Sequence, residues 1–188
     1  MENLEQVAGL LKQWNAIGSQ IAAVIGRPAQ SGYLAKYVAS RIFAIKLEHS
    51  ASSKGIDGHF TKGKLNGRSV NVKYKGKNDG LLTVDPDGVA GVYVVLAGPK
   101  SPASASRGKS RPWVVESVFA FELKELISRL EVRARDKGRS QARLGTATSI
   151  SWRDWNEFEI YPKQTSRLMT VSDSQRDALR LFGTVNAS

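Results

Sequence analysis

The sequence predicts a mixed α/β (α+β) protein in which a central β-sheet is flanked by helices. Three observations support this: helical spacing of apolar residues over 3–47, several short strand-like runs in the middle of the chain, and a further helical pattern at 121–135. A chain of 188 residues fits one domain. We divide this domain, 1–188, into N-terminal helices (3–47), a sheet core (54–162) and a C-terminal tail (163–188).

The first helix is predicted over residues 3–25, where apolar or small residues follow one another in steps of three and four. This heptad seam consists of Leu4, Val7, Leu11, Trp14, Gly18, Ile21 and Ile25. Leu10, Ile17 and Val24 widen it into a stripe. A stripe of this width favours packing on the protein's own core. The alternative is that the helix pairs two copies in a homodimer.

A second helix is predicted from Gly32 to about Leu47, with Ser31 as its cap. The chain then reaches Asp57 in a Gly-Ile-Asp-Gly turn that opens a strand. After a loop, the next strand runs from Ser69 to Lys75. Side chains alternate along a strand, so one face is apolar and the other polar. The apolar face carries Val70, Val72 and Tyr74, and the polar face carries Asn71, Lys73 and Lys75.

The rest of the chain continues the mixed pattern. Strands are predicted at Leu81–Val84, Val92–Leu96 and Glu157–Tyr161, and a strand or turn at Trp113–Val118. The near-continuous apolar run at Val92–Leu96 is typical of a strand buried on both faces. A helix is predicted at Phe121–Arg135, a long basic loop at 98–112, and a short amphipathic stretch at Ser174–Phe182.

The charge of the chain points to a polyanionic partner. The 28 Lys and Arg exceed the 17 Asp and Glu, giving a net charge of +11. An excess of this size is typical of proteins that bind nucleic acid, although a solubilising surface is the plainer alternative. The cations cluster, and those expected to contact nucleic acid are Lys54, Lys62, Lys64, Lys75, Lys77, Arg107, Lys109, Arg111, Arg139 and Arg143.

Several function classes lack their signatures in this sequence. There is no cysteine, so thiolate chemistry and disulfides are excluded. The two histidines do not have metalloprotease spacing, and there is no G-x-S-x-G elbow, Walker loop or dinucleotide fingerprint. The start of the chain does not resemble a signal peptide, and no apolar run is long enough to span a bilayer. We therefore expect a cytoplasmic protein that does not bind membranes.

The residues that remain are an acid and a lysine on paired strands, which can hold a divalent cation and a phosphate. Roughly residues 31–97 resemble the PD-(D/E)xK nuclease superfamily, which has the restriction-endonuclease-like fold. The resemblance lies in the order of a helix, then Gly-Ile-Asp-Gly, then Val-Asn-Val-Lys on the next strand. In that family an acid begins one strand, and a second acid, any residue and a lysine lie on the next. Asp57 matches the first acid and Lys73 the lysine, whereas Asn71 stands in place of the second acid.

This resemblance implies a DNA endonuclease of a restriction or phage-defence type that hydrolyses phosphodiester bonds with Mg²⁺ or Mn²⁺. Asp57 would ligate the metal together with the Val72 backbone carbonyl and water. Lys73 would position or activate that water, and Asn71 would offer a neutral oxygen. A helical glutamate often completes such a site, but the second predicted helix offers Lys36 on its polar side and only Glu48 at its end.

Two alternatives to the endonuclease remain at this point, a silent nuclease-like protein and a basic scaffold protein with no specific site. A catalytically silent nuclease-like protein would bind nucleic acid, most simply double-stranded DNA, without cutting it, and Asn71 favours this. Taken singly, Asp57 is also typical of a turn acid, and Lys73 of a solvated cation on a basic strand. The sequence leaves open whether DNA or RNA is bound.

Overall fold

The computed structural model describes residues 2–49, 55–76, 81–84, 88–99, 112–136, 148–151 and 156–184. Within these ranges the helices are α1 (Glu2–Ile25), α2 (Ser31–Ile42), α3 (Leu123–Asp136) and α4 (Asp173–Arg180). The first strands are β1 (Ile45–Leu47), β2 (Gly58–Phe60), β3 (Ser69–Lys75) and β4 (Leu81–Val84). The later strands are β5 (Val92–Ala97), β6 (Ser117–Glu122), β7 (Thr148–Ser151) and β8 (Glu159–Tyr161).

Six of these strands form one mixed sheet in the order β1-β2-β3-β5-β6-β8. Strands β3 and β5 are parallel, and the other neighbouring pairs are antiparallel. Strands β4 and β7 form a separate antiparallel pair. This mixed sheet with its helices confirms the predicted α/β class.

Apolar side chains cover the large sheet on both faces. On one face, α2 and α4 contribute Ala35, Val38, Ala39 and Leu179 to a core that also contains Val70 and Val72. On the other face, Leu82 and Val84 of β4 and Leu123 and Leu126 of α3 pack with Tyr93, Val95 and Phe121. All six residues of β5 are buried, as its continuous apolar run predicted.

Three predicted helix boundaries are wrong. Helix α2 ends at Ile42 rather than near Leu47, because Ala44 takes the left-handed conformation with φ 52° and turns the chain into β1. The predicted cap Ser31 is the first helical residue; Gln30 occupies the cap position, and its side chain makes no capping hydrogen bond. Phe121, predicted as helical, lies in β6, and α3 begins only at Leu123.

The segment predicted as a tail contributes to the first core. Val171 and Leu179 are both buried there. The Ser172 side chain accepts a hydrogen bond from the Gln175 amide and closes a capping box at the start of α4. The Gln175 side chain donates to Ile42 O at 2.8 Å, which ties α4 to the end of α2.

Helix α1 has its predicted extent, but the expectation that its stripe packs on the core is wrong. Leu4 is 73% exposed, Trp14 70% and Val24 71%. Among the described residues, no member of α1 belongs to either core. The apolar stripe from Leu4 to Ile17, together with Val24, therefore faces solvent, whereas Ile21 and Ile25 are half-buried. None of the helices in the described ranges combines the length and apolarity needed to cross a membrane.

Candidate functional site

Asp57 lies one residue before β2 and is held by backbone hydrogen bonds on both sides. Its amide donates to Val70 O at 2.8 Å, and its carbonyl accepts from Glu48 N at 3.0 Å. The next residue, Gly58, faces β1 so closely that an added Cβ would lie 2.4 Å from Lys46 O. Only glycine fits this approach, so the glycine after Asp57 lets the strands close around the acid.

Two groups fix the Asp57 carboxylate. Oδ2 accepts a hydrogen bond from the Val72 amide at 2.8 Å. Oδ1 lies 2.6 Å from the Nζ atom of Lys36, which comes from α2. The side chains of Lys36 and Asp57 are 27% and 13% exposed, so this ion pair is largely shielded from water. The carboxylate is thus oriented by both the preceding helix and the neighbouring strand.

Asn71 is more buried than its place on the predicted polar face indicates. It is only 5% exposed, and it lies opposite Tyr93 of β5. Its Nδ2 donates to Gly55 O at 2.7 Å, so the amide holds the loop that leads to Asp57. Its Oδ1 is buried with no hydrogen-bond partner within the described part of the chain. An unpaired buried acceptor is costly and rare in proteins.

Lys73 lies on β3 opposite Val95 and is half-buried. The described ion pair of Asp57 is made by Lys36 and not by Lys73. Val72 enters the site through its backbone amide, and the predicted ligation by its carbonyl stays a prediction. The signal for Lys36 in the sequence was weak, because a lysine on the polar side of a helix is ordinary until the packing of that helix is known.

Two further titratable groups lie close to Asp57 along the strands. Glu48, whose amide bonds to the Asp57 carbonyl, places its Oε1 at 3.1 Å from Nδ1 of His59. Both of these side chains are about two-fifths exposed, at 41% and 43%. In the part of the chain that the structure describes, no three His, Cys, Asp or Glu side chains converge to hold a metal ion.

Within the described residues, the oxygen ligands that Asp57 and Asn71 carry are a carboxylate and a buried amide oxygen, Oδ1. Both are hard oxygen ligands, the type that Mg²⁺ prefers, and Mg²⁺ often takes only one or two carboxylates and keeps several waters. The residues therefore fit this ion in donor type. They supply a single negative charge, which Lys36 already offsets.

Among the predicted nucleic-acid contacts, Lys62 and Lys64 are exposed. They line a cleft of about 510 Å³ together with Arg167, which the sequence did not single out. Its lining also includes Phe43, Phe60, Leu65 and Met169. Lys75 is half-buried on β3. The other predicted contacts lie outside the described residues: Lys54, Lys77, Arg107, Lys109, Arg111, Arg139 and Arg143.

Two arginines in the basic segments are paired with acids. Arg68 forms an ion pair with Glu122 of β6. Arg129 of α3 lies 2.5 Å from both Glu125 and Glu157. The hydrogen bond to Glu157 raises the pKa of Arg129 above its usual value, with a smaller contribution from Glu125. Because these carboxylates partly neutralise the two arginines, we expect them to attract an external anion less than unpaired cations would.

Comparison with models of known protein families gives no match, and a search of curated proteins finds no significantly similar sequence.

Proposed function

We propose that the protein is a Mg²⁺- or Mn²⁺-dependent DNA endonuclease with a PD-(D/E)xK-type site on a restriction-endonuclease-like fold. One observation carries this proposal. A largely buried carboxylate at the entry to β2 is fixed by a lysine from the preceding helix and by the backbone of β3. A second lysine, Lys73, lies two residues after Asn71 on the same strand.

Asp57 is the residue that would hold the metal. An ionised carboxylate has about four acceptor sites, and the described contacts use one on each oxygen. Asp57 can therefore accept a cation while Lys36 and the Val72 amide keep it oriented. A metal bound there would lower the pKa of a coordinated water and stabilise negative charge on the phosphate.

The two lysines have separate roles in this proposal. Lys36 orients the Asp57 carboxylate directly, at 2.6 Å. Lys73 follows Val72, the residue that bonds to Asp57, and presents its ammonium ion to the scissile phosphate or to the attacking water. Lys62, Lys64 and Arg167, around their cleft, would contact the phosphate backbone away from the cleavage point.

Cleavage of supercoiled plasmid tests the catalytic step. We expect nicking with Mg²⁺ or Mn²⁺ that a chelator stops. Asp57→Asn retains an acceptor for the Val72 amide but removes the charge, and should abolish cleavage while leaving DNA affinity unchanged or raised. Lys73→Met should abolish cleavage and weaken DNA binding only slightly, because many other cations remain.

Matched controls separate these effects from a general loss of charge. Asp177→Asn removes a carboxylate from an exposed ion pair on α4, and Lys124→Met removes an exposed lysine on α3. Both should cut like the native protein. If the native protein neither cuts DNA nor binds a divalent cation by calorimetry, the endonuclease proposal is wrong.

The second candidate is a protein that binds nucleic acid without cutting it. The Asn71 side chain favours this function, because it replaces an expected acid and its Nδ2 is already bonded to Gly55. Affinity should then fall steeply with salt, since each phosphate contact releases counterions. In a filter-binding series, removing Lys62, Lys64 or Arg167 should each reduce the salt slope by about one. An affinity that does not change with salt concentration would contradict nucleic-acid binding, whether or not the protein cuts DNA.

A further inference from the structure

We infer that α1 joins two copies of this chain as an antiparallel helical pair. The helix spans 24 residues and exposes seven large apolar side chains, between 49% and 73% of each. These side chains are Leu4, Val7, Leu10, Leu11, Trp14, Ile17 and Val24. In proteins most of the stability of a helix comes from packing its amphipathic face, so a stripe that is solvated from Leu4 to Ile17 indicates a missing partner.

The spacing of the stripe matches a second helix of the same kind. The steps of three and four residues place one apolar side chain at every turn along a single seam, which is the repeat by which helices interlock in coiled coils. Burying one such side chain removes on the order of 100 Å² from water, so the six that lie within the overlap of the two helices would bury roughly 1,200 Å² over both copies. A specific interface needs about 1,000 Å², and the half-buried Ile21 and Ile25 extend the same seam.

Side-chain size favours the antiparallel arrangement. When Trp14 of one copy lies opposite Gly18 of the other, Val7 lies opposite Ile25 and Leu11 opposite Ile21. Gly18 has nothing within 4 Å of the position of a Cβ, which leaves room there for the indole ring of the opposing Trp14. A parallel pair would instead put the two Trp14 side chains against each other and the two Gly18 residues against each other.

The residues beside the seam and the charges of α1 also favour the antiparallel arrangement. One flank carries Leu10, Ile17 and Val24, and in an antiparallel pair this flank meets its own copy. The charges of α1 are Glu2, Glu5 and Lys12 in a chain of net charge +11. An antiparallel pair brings the acidic first turn of each helix to the basic body of the other copy. It also keeps the points at which the two helices join their bodies about 27 Å apart along the pair, whereas a parallel pair would set them side by side.

Light scattering after size exclusion, over a range of concentrations, measures the assembly. We expect a dimer for the native chain. Trp14→Ala should raise the dissociation constant at least tenfold, while Gln13→Ala, one residue away but off the seam, should leave it unchanged. Circular dichroism of each variant separates loss of the dimer from loss of the fold. A native chain that stays monomeric at high concentration would overturn the inference.

Disulfide trapping tests the direction, and the absence of cysteine in the chain makes the result clean. In the antiparallel pair, a mixture of Val7→Cys and Ile25→Cys should form a mixed disulfide dimer on oxidation. In a parallel pair these positions would lie about 27 Å apart. Val7→Cys alone should not couple to itself, and efficient self-coupling of that variant would overturn the antiparallel arrangement.

Discussion

Replacement of Lys36 by methionine measures how far Asp57 depends on α2. Methionine keeps an unbranched apolar side chain but removes the ammonium ion that lies 2.6 Å from Asp57 Oδ1. Asp57 then keeps the Val72 amide and the water that reaches its 13% exposed side chain. Breaking a buried pair costs about 3–5 kcal/mol and an exposed pair about 0–1 kcal/mol. For this partly buried pair we expect a loss of about 1.5–3 kcal/mol in the free energy of unfolding.

A double-mutant cycle isolates the pair. Asp57→Asn removes the charge but leaves an oxygen for the Val72 amide, so the double variant contains no unpaired charge. We expect a coupling energy of about 1–2 kcal/mol between the two positions. Urea unfolding followed by circular dichroism gives these values, provided that the slope with denaturant is the same for all variants. The exposed Lys124→Met should change stability by less than about 0.5 kcal/mol.

The same cycle links stability to metal binding. If Asp57 holds Mg²⁺, an ion at ten times its dissociation constant stabilises the folded protein by about 1.4 kcal/mol. That gain should appear in the native chain and in Lys36→Met, where the cation replaces part of the lost charge, and should be absent in Asp57→Asn. A coupling energy near zero would refute the structural role of Lys36. An equal Mg²⁺ response in Asp57→Asn would refute metal binding at Asp57.

Two further predictions concern the fold. Gly58→Ala should destabilise the protein by at least about 2 kcal/mol in urea unfolding, because its Cβ would lie 2.4 Å from Lys46 O. Gly32→Ala, in an open helical position, should instead be neutral or stabilising by up to about 1 kcal/mol, and equal losses in both would contradict the steric account. Ser172→Ala should cost about 1 kcal/mol by thermal or urea unfolding, since it removes the side-chain cap of α4; no loss would show that the cap is dispensable.

A strand could be predicted from the sequence where its apolar residues follow the two-residue period of a strand and do not also fit the 3.6-residue period of a helix. The alternation of Val70, Val72 and Tyr74 with polar residues predicts β3 with its observed ends. Ile45 and Phe121 were misassigned because each also extends a helical pattern that precedes or follows it. The left-handed Ala44 ends α2, and a non-glycine residue in that conformation has no sequence signal.

The site could be predicted only in part. Asp57 and its place before β2 followed from the turn sequence, but its partner depended on how α2 packs against the sheet. Asn71 was placed on a polar face because the sequence shows the strand Leu81–Val84 but not where it packs. In the structure β4 pairs with β7, and its Leu82 and Val84 join the core that contains Tyr93, the residue opposite Asn71. The burial of Asn71 is therefore a consequence of tertiary structure.

Asn71 is the residue on which the two candidate functions differ. A core position 5% exposed would pack better with an apolar side chain. This one instead holds Gly55 through its nitrogen, and its oxygen has no hydrogen-bond partner among the described residues. An unpaired acceptor costs about 1–3 kcal/mol, and such costs tend to persist at functional sites. A glutamate at 71 would add the missing negative charge but lose the bond to Gly55, which holds the loop before Asp57. Asparagine thus keeps the geometry around Asp57 at the expense of metal affinity. A cation or water bonded to Asn71 Oδ1 would favour the nuclease. An Oδ1 atom that stays unpaired in the DNA complex would favour the silent binding protein.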